Sequence, residues 1–473
     1  MRQRVIILFL CIVISTMQAL LAAPAKPQAD FAEIEKAAID ELKETNTPGA
    51  MMMIISGDRV VFSKGLGSSD ADTGAAMTDE TLVRIDVLSK FLAATILVSL
   101  ADEGKIDLKM PIGNYVKGLN ARLANVTAHQ LLTQTAGIAE DHVEYPSGAD
   151  PEVGKIVRAW KDSSFFAEPG KIYSYSNPGY APVRLLIDEI GGKPFAEQLN
   201  ERIFKPMGMT RSTSDPMVAV TYPFTQSHRG GSGQGSRVIR PLSAESVGWP
   251  GSLMFSNLKD VSRFLIAFMN GGKLEGRQVL SPSVIATLSK PYVPYPATAG
   301  EEEGYGIHFY NVNGRKVMGT GTSWGGVVGY LRMFPEEKFA MVILTNGGRP
   351  LRKTTDSILQ MFFPAGAHAI INSPHPMPLA ESEASNYVGT YSNERTIQLL
   401  IQDGKLFLRE QAVPVLGSVT GGYNTALPVT KIGDHFFSIT PNGAAQPTVF
   451  ALIAGDDGKA EFMHIGGRAL KRK

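Results

Sequence analysis

One stretch of the sequence, residues 87–101, is apolar nearly all the way round and rich in the helix formers Leu and Ala. It is followed by Asp-Glu-Gly at residues 102–104, which is typical of a helix that ends at a glycine. A helix without a polar face is stable only when other elements cover all its sides, so this stretch predicts the central helix of a domain. Asp86 is expected to cap its first turn, and Lys90 is the one charge inside it.

The composition narrows the possible partners. The chain has 473 residues, enough for two or more domains with a large core. Hydrophobic residues make up 44% and charged residues 19%, which is typical of a soluble globular protein. Lys and Arg number 46 against 45 Asp and Glu, so the sequence has no basic excess that would attract nucleic acid or an anionic membrane. We therefore exclude both as main partners.

The first 25 residues have the order of a secretory signal peptide. A basic start is followed by a mostly apolar run over residues 5–21 and by small residues at 22–25. This order predicts a secreted or periplasmic protein, with an uncleaved signal anchor as the alternative. The only cysteine, Cys11, lies in this segment, so cleavage would leave a chain without disulfides or a catalytic thiol.

The start of the central helix resembles the nucleophile helix of the serine β-lactamase-like superfamily, which includes class C β-lactamases, penicillin-binding DD-peptidases and esterases. That family has Phe-Arg-Ile-Gly-Ser-x-x-Lys here, where Ser is acylated and Lys assists its deprotonation. Arg84, Ile85, Ser89 and Lys90 fit this register, but Val87 occupies the nucleophile position. Ser89 is a poor substitute, because two residues along a helix is a rotation of about 200°. Valine has no lone pair, so the resemblance implies a fold and a pocket without the acylation chemistry.

The resemblance implies an α/β fold, in which an antiparallel sheet is flanked by helices and joined to a mostly helical subdomain. Local patterns agree with this fold. Residues 30–45 have the spacing of an amphipathic helix, and residues 51–56 and 59–64 predict a hairpin around a tight turn. Residues 327–334 and 340–346 predict two apolar strands.

Residues 168–180 carry a second motif, which resembles the family pattern Pro-Gly-x-x-x-x-Tyr-Ser-Asn-x-Gly-Tyr. By that match Tyr175 stands where the general-base tyrosine does, and Asn177 stands where an amide holds the substrate carbonyl and the lysine. The alternative is an aromatic loop that only packs over helix ends. Residues 126–137 resemble a further family signature, with Gln134 replacing its histidine, and we expect His129 there to be packed rather than catalytic.

The third family motif, Lys-Thr-Gly or His-x-Gly on the strand that lines the cleft, should fall at residues 319–321. Thr320 and Gly321 match it and are predicted to bind substrate, while Gly319 replaces the basic residue. A register shifted by one places Thr320 at the basic position, and neither register supplies a cation. Residues 227–237 contain four glycines and predict a loop beside the cleft, without the order of a phosphate-binding loop.

The chain is predicted to divide into a β-lactamase-like domain at 26–370, a proline-rich linker at 371–384 and a β-domain at 385–473. The linker prediction rests on Ser-Pro-His-Pro-Met-Pro at residues 373–378. Beyond it, short strands on tight turns resemble the small lipocalin-like β-barrel of many secreted family members. This part is expected to serve packing, capping of the cleft, or formation of a homo-oligomer.

These observations give two hypotheses for the cleft, beside a third in which the chain is a structural or assembly protein that works through its C-terminal barrel. The first is a secreted pseudoenzyme that binds a peptide, peptidoglycan-like or carboxylate ligand in a retained cleft around Lys90, Tyr175 and Asn177. The second is an active hydrolase, namely a β-lactamase, DD-peptidase or esterase, in which Lys90 and Tyr175 activate an unplaced nucleophile. No metal and no cofactor is expected in either case.

Overall fold

The computed structural model describes residues 31–140, 152–231, 234–240, 254–364, 375–411, 425–441 and 446–473. The predicted signal peptide and residues 371–374 of the predicted linker lie outside these ranges. In the parts described, every helix is too short or too polar to cross a bilayer. The helices are α1 Phe31–Glu44, α2 Asp86–Asp102, α3 Ala121–Ala124, α4 Ala128–Leu132, α5 Val153–Arg158, α6 Ala181–Gly191, α7 Phe195–Leu199, α8 Lys205–Met207, α9 Pro216–Ala219, α10 Leu258–Met269, α11 Pro282–Leu288, α12 Arg352–Phe362 and α13 Glu381–Ala384.

A nine-stranded antiparallel sheet forms the first part of the molecule. Its strands are β1 Gly49–Ser56, β2 Arg59–Asp70, β3 Ala75–Ala76, β4 Val293–Pro294, β5 Glu302–Glu303, β6 His308–Val312, β7 Arg315–Trp324, β8 Val327–Phe334 and β9 Phe339–Thr345. Their spatial order is β4-β5-β6-β7-β8-β9-β1-β2-β3. The predicted first helix, first hairpin and pair of apolar strands are confirmed as α1, β1–β2 and β8–β9.

Helices cover both faces of this sheet, which explains why its central strands are apolar throughout. Along β1, Met51, Met53 and Ile55 pack into the core around α2. Met52 and Ile54 alternate with them and pack into a second core with residues of α1 and α12. Helix α2 is thus enclosed between the sheet and the helical subdomain, as its uniformly apolar sequence predicts.

The two ends of α2 differ in how well the sequence predicted them. Gly104 follows the helix with a φ of 72°, so the predicted glycine at its carboxyl end is confirmed. The predicted cap at Asp86 is wrong. Ile85 is the capping residue, no side chain caps the helix, and Asp86 is its first residue.

The last part of the chain is a nearly closed nine-stranded barrel. Its strands are β10 Gly389–Ser392, β11 Thr396–Gln402, β12 Lys405–Gln411, β13 Leu427–Pro428, β14 Thr430–Lys431, β15 Phe436–Ile439, β16 Thr448–Ala454, β17 Ala460–Ile465 and β18 Arg468–Arg472. They follow the order β13-β12-β11-β10-β18-β17-β16-β15-β14. The two end strands are joined in the chain by Val429 alone, which brings the edges of the sheet together. The barrel has its own apolar core, which includes Tyr391, Phe437 and Phe450.

One local prediction is corrected by the structure. Residues 227–237, predicted as a loop, contain two paired strands, His228–Gly231 and Gln234–Val238. The pair is fixed to the sheet at one end, where the buried His228 ring contacts the carbonyl of Asn346 at 2.9 Å. Four glycines concealed this strand pattern, because glycine has low strand propensity in isolation.

Candidate functional site

The amino end of α2 carries a buried ion pair. Arg84 lies on a short strand, Val83–Arg84, that pairs with Phe255–Ser256, and its guanidinium contacts the carboxylate of Asp86. Burial raises the pKa of Asp86, while the charge and the hydrogen bond of Arg84 lower it in part. Asp86 therefore forms its ion pair with Arg84, and the charge of Lys90, one turn later in the helix, lowers the pKa of Asp86 to a lesser extent.

Val87 is the second residue of α2, three positions before Lys90, which is the spacing between nucleophile and lysine in the resembled family. Ser89, the nearest hydroxyl residue in the sequence, is fully buried. Its Oγ points back toward the helix and lies 3.5 Å from the carbonyl oxygen of Ile85. Burial removes Ser89 as a nucleophile for a molecule that enters from solvent.

Lys90 is buried and held by the second motif. Its Nζ donates to the Tyr175 hydroxyl at 2.7 Å and to Asn177 Oδ1 at 2.8 Å. The Tyr175 hydroxyl in turn donates to Asn177 Oδ1 at 3.0 Å, so the three side chains form a closed triangle. The ammonium also lies 4.7 Å from the centre of the Tyr175 ring and 5.6 Å from that of Tyr180. We call Lys90, Tyr175 and Asn177 the polar triangle.

Two side chains from a distant segment fix the backbone of the second motif. Gln134, where the family has histidine, accepts a hydrogen bond from the Ser176 amide at 2.7 Å. Glu140 accepts from both the amide and the Nδ2 of Asn177, each at 2.9 Å. Because Nδ2 is directed to Glu140, Oδ1 of Asn177 is directed to Lys90. Sequence reasoning missed Glu140, because it follows the recognised signature in a stretch with no motif of its own.

The third motif lies on β7 with its side chains on alternating faces. Thr320 lines a small apolar cavity together with Ile85 and Leu88 of the α2 region. Gly319 is on the opposite face, where a Cβ would lie 2.7 Å from the hydroxyl oxygen of Tyr310. Of the three motif residues, Thr320 is thus the one whose side chain lies on the side of α2. The motif therefore presents no basic side chain on that face of β7. Gly321 is exposed on the face shared with Gly319.

This geometry predicts different costs for two neighbouring substitutions. Gly319→Ala should lower the free energy of unfolding by about 1–3 kcal/mol, since the new methyl group collides with Tyr310 and with the Leu331 carbonyl. Gly321→Ala is the matched control, because its Cβ meets only the Gly329 carbonyl oxygen at 3.5 Å. Urea unfolding of both variants measures the difference. Equal midpoints would contradict this placement of the motif.

Two other features of the region are structural. His129 contacts the Tyr305 hydroxyl at 2.8 Å through Nδ1 and packs edge-on against the Tyr292 ring, and burial lowers its pKa. It is packed, as the sequence indicated. Within the described residues, no group of three or more His, Cys, Asp or Glu side chains is arranged to hold a metal ion.

Comparison with known proteins identifies the family. A family model described as "Beta-lactamase" matches residues 33–361, more than half of the chain. The chain belongs to the β-lactamase family. The resemblance and the fold class inferred from the sequence are therefore confirmed. The matched region of this β-lactamase-family chain includes all three residues of the polar triangle.

Individual relatives agree with this assignment. Penicillin-binding protein 4 of Amycolatopsis lactamdurans is 26% identical over 369 residues, which cover 74% of this chain and 94% of that protein. The crystal structure of SurE with D-Leu covers 93% of this chain and 99% of its own, with a TM-score of 0.73 and 19% identity. The octameric penicillin-binding protein homologue from Pyrococcus abyssi has the same coverage, a TM-score of 0.65 and 21% identity. At these identities the two structures show a shared fold, including the barrel.

Proposed function

We propose that this chain is a β-lactamase-family protein that binds ligands without being acylated. The observation that carries the proposal is Val87 at the nucleophile position of α2, beside a lysine that is still held by its tyrosine and asparagine. Loss of the nucleophile in a serine hydrolase lowers turnover on the order of 10⁶-fold, equivalent to about 8 kcal/mol of transition-state stabilisation. The remaining groups do not restore that loss, but they retain a cation and oriented hydrogen-bonding groups.

The ligand we propose is a short peptide with a free carboxylate, of the peptidoglycan type. A buried ammonium attracts a carboxylate strongly, because charge-assisted hydrogen bonds gain strength away from water. The relatives support this class of ligand, since one is named a penicillin-binding protein and another was solved with D-leucine. The rival, an active hydrolase that uses Lys90 and Tyr175, needs a hydroxyl that the buried Ser89 does not provide.

A binding experiment tests this proposal. Isothermal titration calorimetry with a short peptide ending in D-leucine should show reversible binding, and the same peptide with an amidated end should bind about tenfold more weakly or worse. Lys90→Met should weaken binding of the carboxylate peptide to a similar extent. Equal binding of the two peptides, or release of D-leucine during the titration, would overturn the proposal.

Secretion and self-association remain part of the proposal. The order of residues 1–25 supports cleavage of a signal peptide, and amino-terminal sequencing of the exported protein should begin close to residue 26. A protein that retains residues 1–25 would contradict this. The octameric homologue supports a homo-oligomer, for which we propose the barrel as the contact surface. Sedimentation of the full chain as a monomer would contradict that part.

A further inference from the structure

The turn between the last two barrel strands lies directly against the second motif. The Tyr175 amide donates to the Gly467 carbonyl at 2.9 Å, and the Ala469 amide donates to the Ser174 hydroxyl at 3.1 Å. The φ of Gly467 is 82°, which favours glycine at this position, and a Cβ there would be in van der Waals contact with Cβ of Tyr175 at 3.9 Å. The backbone that carries Tyr175 is therefore bonded to the barrel.

The side chain of Arg468, which follows this turn, is connected to the polar triangle through Glu140. Arg468 donates from Nη2 to Glu140 Oε1 at 3.0 Å, and this oxygen also accepts from Nδ2 of Asn177. The other oxygen of Glu140 accepts from the Asn177 amide. The chain of contacts runs from Arg468 of the barrel through Glu140 to Asn177 and ends at Lys90.

The stability of this series of contacts depends on Arg468. The side chain of Glu140 is only 11% exposed and that of Arg468 26% exposed, so the ion pair is partly shielded from water. A carboxylate with so little contact with solvent is stable only when it is paired, and removal of one partner of such a pair is strongly unfavourable. Arg468 is itself positioned by Glu394 of the barrel at 3.7 Å and by the Tyr175 ring, whose centre lies 5.6 Å from its guanidinium carbon.

We propose that the cleft is a composite of both parts of the chain, in which Arg468 and Glu140 are positioning residues for the polar triangle. Arg468 fixes the carboxylate of Glu140. Glu140 then orients the Asn177 amide so that Oδ1 is directed to Lys90, and Lys90 stays buried against Tyr175. The barrel thereby controls how accessible the Lys90 ammonium is. This inference does not depend on the identity of the ligand.

The test measures Lys90 directly in the full-length protein without a ligand. Acetic anhydride is added at one fixed pH, and mass spectrometry of peptides gives the rate of acetylation of Lys90. Arg468→Met, which keeps the length of the side chain but removes the charge, should raise this rate about tenfold or more by releasing Asn177 and Lys90. Arg468→Lys, which keeps the charge, should remain within about threefold of the wild type.

Two further variants separate positioning from mere attachment of the barrel. Lys171 and Glu461 form another ion pair between the two parts of the chain, at 3.3 Å, that is not part of the Glu140 contacts. Lys171→Met should leave the acetylation rate of Lys90 close to that of the wild type. Glu140→Gln should increase the acetylation rate of Lys90. If circular dichroism shows that Arg468→Met is unfolded, Glu140→Gln takes its place in the comparison. Equal rates for Lys171→Met and the folded variant at Arg468 or Glu140 would overturn the inference.

Discussion

The Val87→Ser variant should become covalently labelled by a fluorescent penicillin, whereas the wild-type chain should not. The substitution supplies a hydroxyl three residues before Lys90, at the helical spacing that places both groups on one face. Lys90 Nζ and the Tyr175 hydroxyl are hydrogen-bonded to each other, and Lys90 in its neutral amine form can accept the proton of that hydroxyl. We expect a gain of at least about 10²-fold in the labelling rate, out of the roughly 10⁶-fold that a nucleophile contributes.

The controls isolate the hydroxyl and its activation. Val87→Ala removes the same branched side chain without adding oxygen and should stay unlabelled. Val87→Ser combined with Lys90→Met should lose most of the gained labelling, because the serine then has no group to assist its deprotonation. Labelling of Val87→Ala at the rate of Val87→Ser would show that the reacting atom lies elsewhere. The rate should stay below that of active relatives, since Thr320 provides no cation on β7.

Acidification should destabilise the molecule through His464. This residue of the barrel is fully buried between the rings of Tyr173 and Tyr295. Among the described residues neither ring nitrogen has a partner with good hydrogen-bond geometry, and the nearby backbone of Gly467 only partly offsets the effect of burial on the pKa of His464. Burial lowers its pKa to about 3 from an ordinary value of 6.5. The folded state resists protonation, so stability is complete above pH 6.5 and falls as the pH drops from 6.5 toward 3. The loss is on the order of 2 kcal/mol at pH 5.

A second histidine against the Tyr295 ring, His308, has a different pH dependence. Burial alone lowers the pKa of His308, but its hydrogen bonds to Glu301 and Glu303 outweigh that effect and raise the pKa to about 9. His308 is therefore charged throughout the acid range and is paired with these two carboxylates, while the Tyr295 ring contacts both histidines. The stability that His308 itself contributes is present below pH 6.5 and is lost only as the pH rises through 9.

Urea unfolding at pH 7.5 and pH 5.0 measures the effect of His464. The His464→Gln variant should lose about 2 kcal/mol less than the wild type between these two values. His435→Gln is the matched control, because His435 is an exposed histidine of the same barrel. If His464→Gln and the wild type lose the same stability on acidification, the buried neutral histidine is not the cause.

Sequence reasoning succeeded where the determining pattern is local. The apolar run that became α2 allows only a buried helix, while the placing of Val87 at the nucleophile position stays a prediction from the register around Lys90. Tyr175 and Asn177 were found because thirteen consecutive residues keep their spacing, and the structure brings both side chains to Lys90. The family and fold were confirmed on this basis.

Sequence reasoning failed where a residue contacts a partner that is distant in the chain, or where a side chain can form either of two local interactions. Glu140 and Arg468 are 328 positions apart, and a single sequence contains nothing that links them. Asp86 has the residue type and the position of a helix cap. In the structure its carboxylate instead pairs with the buried Arg84, and this pairing compensates the buried charge of that cation. The sequence left two registers open for the third motif, and it did not show that Thr320 lies on the side of α2 and Gly319 on the opposite face of β7.

The decisive measurement is intact-protein mass spectrometry of the wild-type chain after incubation with benzylpenicillin. We expect an unchanged mass at every incubation time, even at concentrations that label the Val87→Ser variant completely. A stable increase by the mass of one penicillin, mapped to any residue of the cleft, would contradict it.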